Sequence, residues 1–297
     1  MKTYWIVLSL SLLTTVLALK FVLTWPDKNF RYIQCDVGQG DAILLTKGFA
    51  QILVDSGSSD QVITCLEEYI PFWDRHIDVL VATHSDKDHI GGFDEVLERY
   101  EVERFVWNEV QATTDEWLKL VSLLREHGIL MVSARKISKI EVANMQIYIL
   151  WPQRDNIKEL LYQDKRVFEV DYHSSNGSDN KNTNENSIVS QLRYGEFTAL
   201  LTGDITVEIE NQLLAQQQNL KSLVLKVAHH GSKHSTSEEF LTEVEPLLAT
   251  IGVGKNNYGH PASKVLEILD KHNVQILRTD THGHIVIVSN GNEWWVE

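Results

Sequence analysis

Thr83-His84-Ser85-Asp86-Lys87-Asp88-His89-Ile90-Gly91-Gly92 is the stretch on which the reading of this chain turns. It follows Asp78–Thr83 (DVLVAT), a short continuous apolar run of the kind that forms a strand buried on both faces. Beyond it, Phe93–Tyr100 reads as a helix. Two histidines and two aspartates therefore crowd the loop between a buried strand and a helix. Imidazole nitrogen and carboxylate oxygen are ordinary donors to a divalent ion, and glycine lets the backbone turn tightly beside one. A merely solvated loop does not explain four ligand-type residues separated only by Ser85 and Lys87.

Three further clusters sit where strands should end. Leu200-Leu201-Thr202-Gly203-Asp204 carries one carboxylate, which alone reads as a helix N-cap. Val227-Ala228-His229-His230-Gly231-Ser232 carries two adjacent histidines, whose side chains should diverge so that one serves a given ion. Tyr258-Gly259-His260-Pro261 carries a histidine that alone would be a loop residue. Together the four outline a binuclear metal site, suited to activating water and clamping a phosphoryl or acyl oxygen.

The rest of the chain alternates short strand-like and helical runs. Phe30–Asp36, Ala42–Thr46 and Gln51–Asp55 read as strands joined by Gly38-Gln39-Gly40-Asp41 and Lys47-Gly48 turns. Asp60–Tyr69 reads as a helix capped by Ser58 or Ser59. Thr113-x-x-Glu116 and Ser235-x-x-Glu238 read as capping boxes. Later strands are expected at Met145–Trp151, Ser187–Arg193, Phe197–Thr202, Leu223–Ala228 and Leu247–Val253. Arg154 to Glu185, which runs into the stretch His173–Asn186 without an apolar residue, is expected to be a mobile surface excursion with no core contact along His173–Asn184. Many strands and few helices suggest two sheets covered by helices.

Composition narrows the class. The 297 residues are 43% hydrophobic and 23% charged, which excludes wholesale disorder. A net charge of −14 argues against a general duplex-DNA binder, but not against a nuclease that reaches phosphate through metal. Cys35 and Cys65 are too few for a disulfide framework and read as two buried thiols, with a single bridge left open. Tyr4–Leu19 is uncharged, and counted through Trp25 it is long enough to span a bilayer. Residues 1–25 are expected to be a signal-anchor, with a cleaved signal peptide as the rival; 26–29 are a linker and 30–297 the hydrolase domain.

HSDKDH resembles the metal-binding motif of the metallo-β-lactamase superfamily, H-x-H-x-D-H, with Asp86 in place of the second histidine. Asp55, ending ILVDSG, matches that superfamily's aspartate at the end of an early strand. DVGQGDAILL, THSDKDHIGG, LLTGD, VAHHGS and GHP, in this order, resemble the metallo-β-lactamase domain of the ComEC family of DNA-uptake competence proteins. ComEC proteins also carry a many-helix membrane channel, whereas this sequence shows at most one span. The resemblance implies an α/β four-layer αββα sandwich preceded by one hydrophobic helix.

It also implies roles. His84 and Asp86 serve one metal, Asp88 and His89 the other, and Asp204 bridges them. His229 or His260 completes the shell, and His230 protonates a leaving group or holds phosphate. The superfamily's further histidine upstream of the bridging aspartate is replaced by Asn186-Ser187; neither His127 nor His173 is expected to substitute. Two such replacements enrich the shell in oxygen, favouring Mn²⁺ or Mg²⁺ while leaving Zn²⁺ open.

Asp36, Gln39 and Asp41 are read either as a turn or as the rim of the cleft. Lys233, His234, the Lys255–Tyr258 loop and backbone amides near Ser235 are read as candidate phosphate contacts. The implied reaction is hydrolysis of a phosphodiester, preferably single-stranded nucleic acid, with Asp88 catalytic, on a membrane-anchored or secreted, extracytoplasmic domain. Hydrolysis of a small or surface-bound phosphodiester, a lactone or a β-lactam is the alternative, and a non-catalytic metal-stabilised binding module is a second.

Overall fold

The computed structural model describes residues 2–110, 112–153 and 183–297. In chain order, β1 (Phe30–Gln34), β2 (Ile43–Lys47), β3 (Ala50–Val54), β4 (His76–Val81), β5 (Glu101–Trp107) and β6 (Leu130–Ser133) enter one sheet. β7 (Lys139–Val142), β8 (Met145–Trp151), β9 (Val189–Tyr194), β10 (Phe197–Leu201), β11 (Val224–Lys226), β12 (Leu248–Ile251) and β13 (Gln275–Arg278) build a second. β14 (Ile285–Ser289) and β15 (Trp294–Val296) then return to the edge of the first, where β14 pairs antiparallel with β1.

Both sheets follow one plan. An antiparallel meander, β1–β2–β3 or β7–β8–β9–β10, leads into parallel strands, β3–β4–β5–β6 or β10–β11–β12–β13. Parallel neighbours need crossovers, and helices supply most of them. These are α2 (Gln61–Tyr69), α3 (Lys87–Ile90), α4 (Phe93–Arg99) and α5 (Asp115–Glu126) on the first sheet, and α6 (Val207–Ala215), α7 (Glu238–Val244) and α8 (Ser263–Lys271) on the second. The N-terminal helix, here αN (Lys2–Leu23), precedes them all.

Period-two alternation explains the layers. In β4, Val79 and Val81 face the second sheet, where Ile147 and Leu201 lie, while Leu80 faces Leu66, Val96 and Leu124 of the helices. In β10, Leu201 faces inward and Leu200 outward against Leu213, Phe240 and Leu269. Both faces of the central strands are thus buried, as the run DVLVAT requires. The result is the four-layer αββα sandwich.

Some local expectations are corrected. Thr114, not Thr113, accepts the Trp117 amide and opens α5, and Ser237, not Ser235, accepts the Phe240 amide and opens α7. The hydroxyl of Ser235 instead donates to the Ala228 and Ser232 carbonyls inside a buried turn. Asp60, not Ser58 or Ser59, is the N-cap of α2. Cys35 and Cys65 form a disulfide with Cα atoms 5.8 Å apart, not two free thiols. The pairing brings the end of β1 against α2, which the spacing alone could not indicate. Most of the polar excursion, residues 154–182, lies outside the described residues. Its described end does make contacts: Thr183 Oγ1 donates to Asp86 Oδ1 at 2.7 Å, and the Glu185 carbonyl accepts from Trp151 Nε1 at 2.8 Å.

Candidate metal centre

The expected site residues converge at the C-terminal ends of the parallel strands, where open α/β sheets form their ligand crevices. Asp55 follows β3, His84–His89 follow β4, Asp204 follows β10, His229 and His230 follow β11, and His260 lies beyond β12. Local backbone geometry separates the adjacent histidines: His229 and His230 both lie in the left-handed region, at φ 50° and 53°. Asn256 organises the loop that presents His260, accepting the amides of Tyr258, Gly259 and His260 and donating to the His260 carbonyl. It is a loop staple rather than a phosphate contact.

His89 is wholly buried. Its Nδ1 is paired with Asp55 Oδ2 at 2.8 Å, and its Nε2 lies 3.3 Å from Asp204 Oδ1. Asp55 is itself held by the Thr83 amide at 2.8 Å and hydroxyl at 2.7 Å. His230 Nδ1 is 2.7 Å from the Gly252 carbonyl, which fixes that nitrogen as the donor. Its Nε2 lies 3.3 Å from Asp88 Oδ2 and 3.4 Å from Asp204 Oδ2. His84 Nε2 lies 3.6 Å from Asp86 Oδ2, and the His84 and His89 rings are 4.0 Å apart.

His229 is more exposed, with Nε2 3.8 Å from Asp204 Oδ2 and its ring 5.4 Å from that of His260. His230 thus belongs to the inner cluster, and His229 with His260 to the mouth. This exchanges the places the sequence suggests for the two neighbouring histidines.

Opposite charges crowd the inner cluster and shift one another. Burial disfavours the charged form of His230, but Asp204 and Asp41 outweigh it and push the imidazole up to about 10. Burial likewise opposes the charge of Asp204, and His230, His89 and Lys226 hold its carboxyl well below the usual range. Burial holds His84 well below its ordinary value, with His89 adding to the effect. The Nε2 atoms of His84, His89 and His230 are buried without a hydrogen-bond partner. Each such group costs about 1–3 kcal/mol unless something satisfies it. One donor atom from each of Asp41, His89, Asp204 and His230 lies within 4.8 Å of the others. These residues fit a divalent cation.

Sequence reasoning missed Lys226. It is fully buried in β11, its ammonium paired with Asp41, 2.8 Å from the Gly203 carbonyl and 3.5 Å from Asp204 Oδ1. A lysine inside the apolar run LVLKVA was the available signal. Asp41 is not at the rim: it is buried, and its second oxygen accepts from Gln34 Nε2 at 3.0 Å. A Cβ on Gly252 would strike the Asp41 carboxylate, so the close approach requires glycine there.

Ser187, in the place of the missing histidine, accepts the Asp204 amide through Oγ at 3.2 Å. Lys233 and His234 are exposed. The amides near Ser235 do not await an anion, because Glu210 already accepts those of Thr236 and Ser237.

The sequence pattern of the metallo-beta-lactamase superfamily matches residues 35–255. The chain belongs to the metallo-β-lactamase superfamily. Among curated relatives, ComE operon protein 3 of Bacillus subtilis (strain 168) is 30% identical over 290 residues, covering 91% of this chain and 34% of that protein. Competence protein ComA of Neisseria gonorrhoeae is 27% identical over 267 residues, covering 87% of this chain and 32% of that protein. The chain thus spans about a third of the length of these relatives. Among solved structures, the metallo-beta-lactamase fold protein YhfI from Bacillus subtilis superposes with TM-score 0.52 at 10% identity, over 86% of this chain and 98% of that one. Igni18, a metallo hydrolase from Ignicoccus hospitalis KIN4/I, gives TM-score 0.52 at 12% identity, over the same shares. These two likenesses show the metallo-β-lactamase fold.

Proposed function

We propose that this chain is a binuclear metal-dependent phosphodiesterase, a nuclease acting on single-stranded DNA. The carrying observation is that the Nε2 atoms of His89 and His230 both approach Asp204, with Asp88 beside His230 and the His84 ring 4.0 Å from that of His89. The similarity to competence proteins supports nucleic acid as the substrate class. In this reading His84 and Asp86 would hold one ion, Asp88, His89 and His230 would hold another, and Asp204 would serve both. Two ions, Mn²⁺ or Zn²⁺ with Mg²⁺ as a third candidate, would supply Lewis-acid polarisation of a phosphoryl oxygen and a water acidic enough to attack.

The chain's own groups do the rest. Asp55 and the Gly252 carbonyl engage Nδ1 of His89 and His230, so that Nε2 of each would be the atom offered to an ion once its proton is displaced. Asp88, partly open to solvent beside His230, orients the attacking water. His229 and His260 stand at the mouth, where burial favours their neutral form and they would meet the phosphate as hydrogen-bond partners.

αN serves as a membrane anchor in this proposal. Tyr4–Val22 is long and apolar enough to cross a bilayer, and none of that window is buried against the protein. The Cys35–Cys65 disulfide supports an oxidising, extracytoplasmic compartment for the domain that follows.

Assays on labelled single-stranded DNA, bis(p-nitrophenyl) phosphate and nitrocefin, each with Mn²⁺ and with Zn²⁺, test the proposal. Cleavage of DNA supports it. Turnover of bis(p-nitrophenyl) phosphate alone indicates a small-phosphodiester hydrolase, and turnover of nitrocefin alone a lactamase. Metal binding with no turnover indicates a binding module.

A further inference from the structure

The end of αN does not project freely from the domain. Phe21 and Trp25 meet Trp73, with ring centroids 4.8 and 5.6 Å apart, and Trp25 and Trp73 both meet Phe49, at 5.2 and 5.5 Å. Trp73 Nε1 donates to Thr24 Oγ1 at 3.3 Å. Phe49 is at the tip of the two-residue turn between β2 and β3, where Gly48 takes φ 62°. Phe72 and Trp73 lie on the loop between α2 and β4. Three of these rings face outward: Phe49 is 43% exposed, Phe72 50% and Trp25 55%. Exposed aromatic residues grouped on separate loops are unusual for a water-facing surface. Lys20 and Lys28 flank the group in sequence.

We propose that Trp25, Phe49, Phe72 and Trp73 form a ledge that rests in the headgroup zone of a phospholipid bilayer and turns the metal cleft away from it. The proposal rests on the reading of αN as an anchor. Its argument for lipid is continuity: the ledge begins where the apolar span ends, at the level where amphipathic aromatic rings and snorkelling lysines settle. The orientation follows from topology. Phe49 stands at the N-terminal end of β3 and Trp73 before that of β4, whereas Asp55 and His84 follow the C-terminal ends of the same strands. A strand of this length, at about 3.3 Å per residue, separates the ledge from the cleft by roughly 20 Å. Substrate therefore enters from water, which fits a nucleic acid strand better than a bilayer phospholipid.

Full-length protein reconstituted in vesicles of phosphatidylethanolamine and phosphatidylglycerol tests this. An environment-sensitive fluorophore is attached through single substitutions Leu12→Cys, Phe49→Cys, Phe72→Cys or Tyr258→Cys. Cys35 and Cys65 are buried and bonded to each other, so they do not compete for the label. Emission at 12, 49 and 72 should shift to the blue and be quenched by nitroxide lipids, with position 12 quenched best by a deep nitroxide and 49 and 72 by a shallow one. The label at Tyr258, beside His260 at the cleft, should stay in water. Lipid contact at 12 with 49 and 72 in water overturns the ledge and leaves the anchor. Water at 12 overturns the anchor and the ledge with it. Lipid contact at 258 overturns the orientation.

Discussion

Lys226 Nζ lies 3.5 Å from Asp204 Oδ1 while pairing with Asp41, so one buried ammonium joins the turn after β1 to the carboxylate at the end of β10. Burial pulls the Lys226 charge down, and Asp41 and Asp204 outweigh it and raise it. The chain thus carries a built-in cation at one side of the inner cluster. It balances one carboxylate and leaves the others facing the histidines.

Lys226→Met should destabilise the fold by about 3–5 kcal/mol, because it leaves Asp41 buried and unpaired. The double variant Lys226→Met with Asp41→Asn removes both charges and should recover part of that loss. Chemical denaturation of the two variants and the parent checks this. Equal losses in the single and double variants would show that the pairing is not the source.

Metal content reports on the cluster directly. Protein purified without chelator and supplemented with Mn²⁺ or Zn²⁺ should hold more than one equivalent by elemental analysis. Asp204→Ala should hold less, since Asp204 faces His89, His229 and His230 at once. One equivalent or less, unchanged by the substitution, contradicts a binuclear centre.

Asp88→Asn should lower hydrolysis by at least about 100-fold, the scale for removing one group that stabilises transition-state charge. Asp88 is partly exposed and outside the apolar core, so the melting temperature should barely move. Activity near that of the parent would place the chemistry elsewhere.

Glu210→Ala should cost about 2–4 kcal/mol, because the buried amides of Thr236 and Ser237 lose their acceptor. The readout is thermal or denaturant unfolding. A loss within experimental error would mean that water replaces the carboxylate there.

Cys35→Ser, or reduction of the parent, should lower stability by about 3–4 kcal/mol, the loop-closure scale for a bridge of this span. The Cys35–Cys65 separation is 30 residues. Unfolding midpoints with and without reductant measure it. Identical midpoints would show that the bridge does not constrain the unfolded chain.

Much of the molecule was legible in the residues themselves. Buried strands announce themselves as continuous apolar runs, so DVLVAT and the strands that end in LLT and KVA could be placed, along with the clusters His84–His89, Asp204 and His229–His230 that follow them. Those clusters lie at strand ends because the fold opens its crevice there, and strand ends are a local property. Other features depend on what lies across space. Which of two adjacent histidines turns inward is decided by left-handed backbone at His229 and His230 and by the carbonyl of Gly252, just past the end of β12. That Asp41 is buried follows from Lys226, far along the chain, and that Cys35 meets Cys65 follows from α2 crossing back over β1. Sequence determines what each segment can bury, through periodicity and hydrophobicity. Only the tertiary structure decides which polar group meets which, because pairing energy falls off within a few ångströms and those distances exist only once both sheets are stacked.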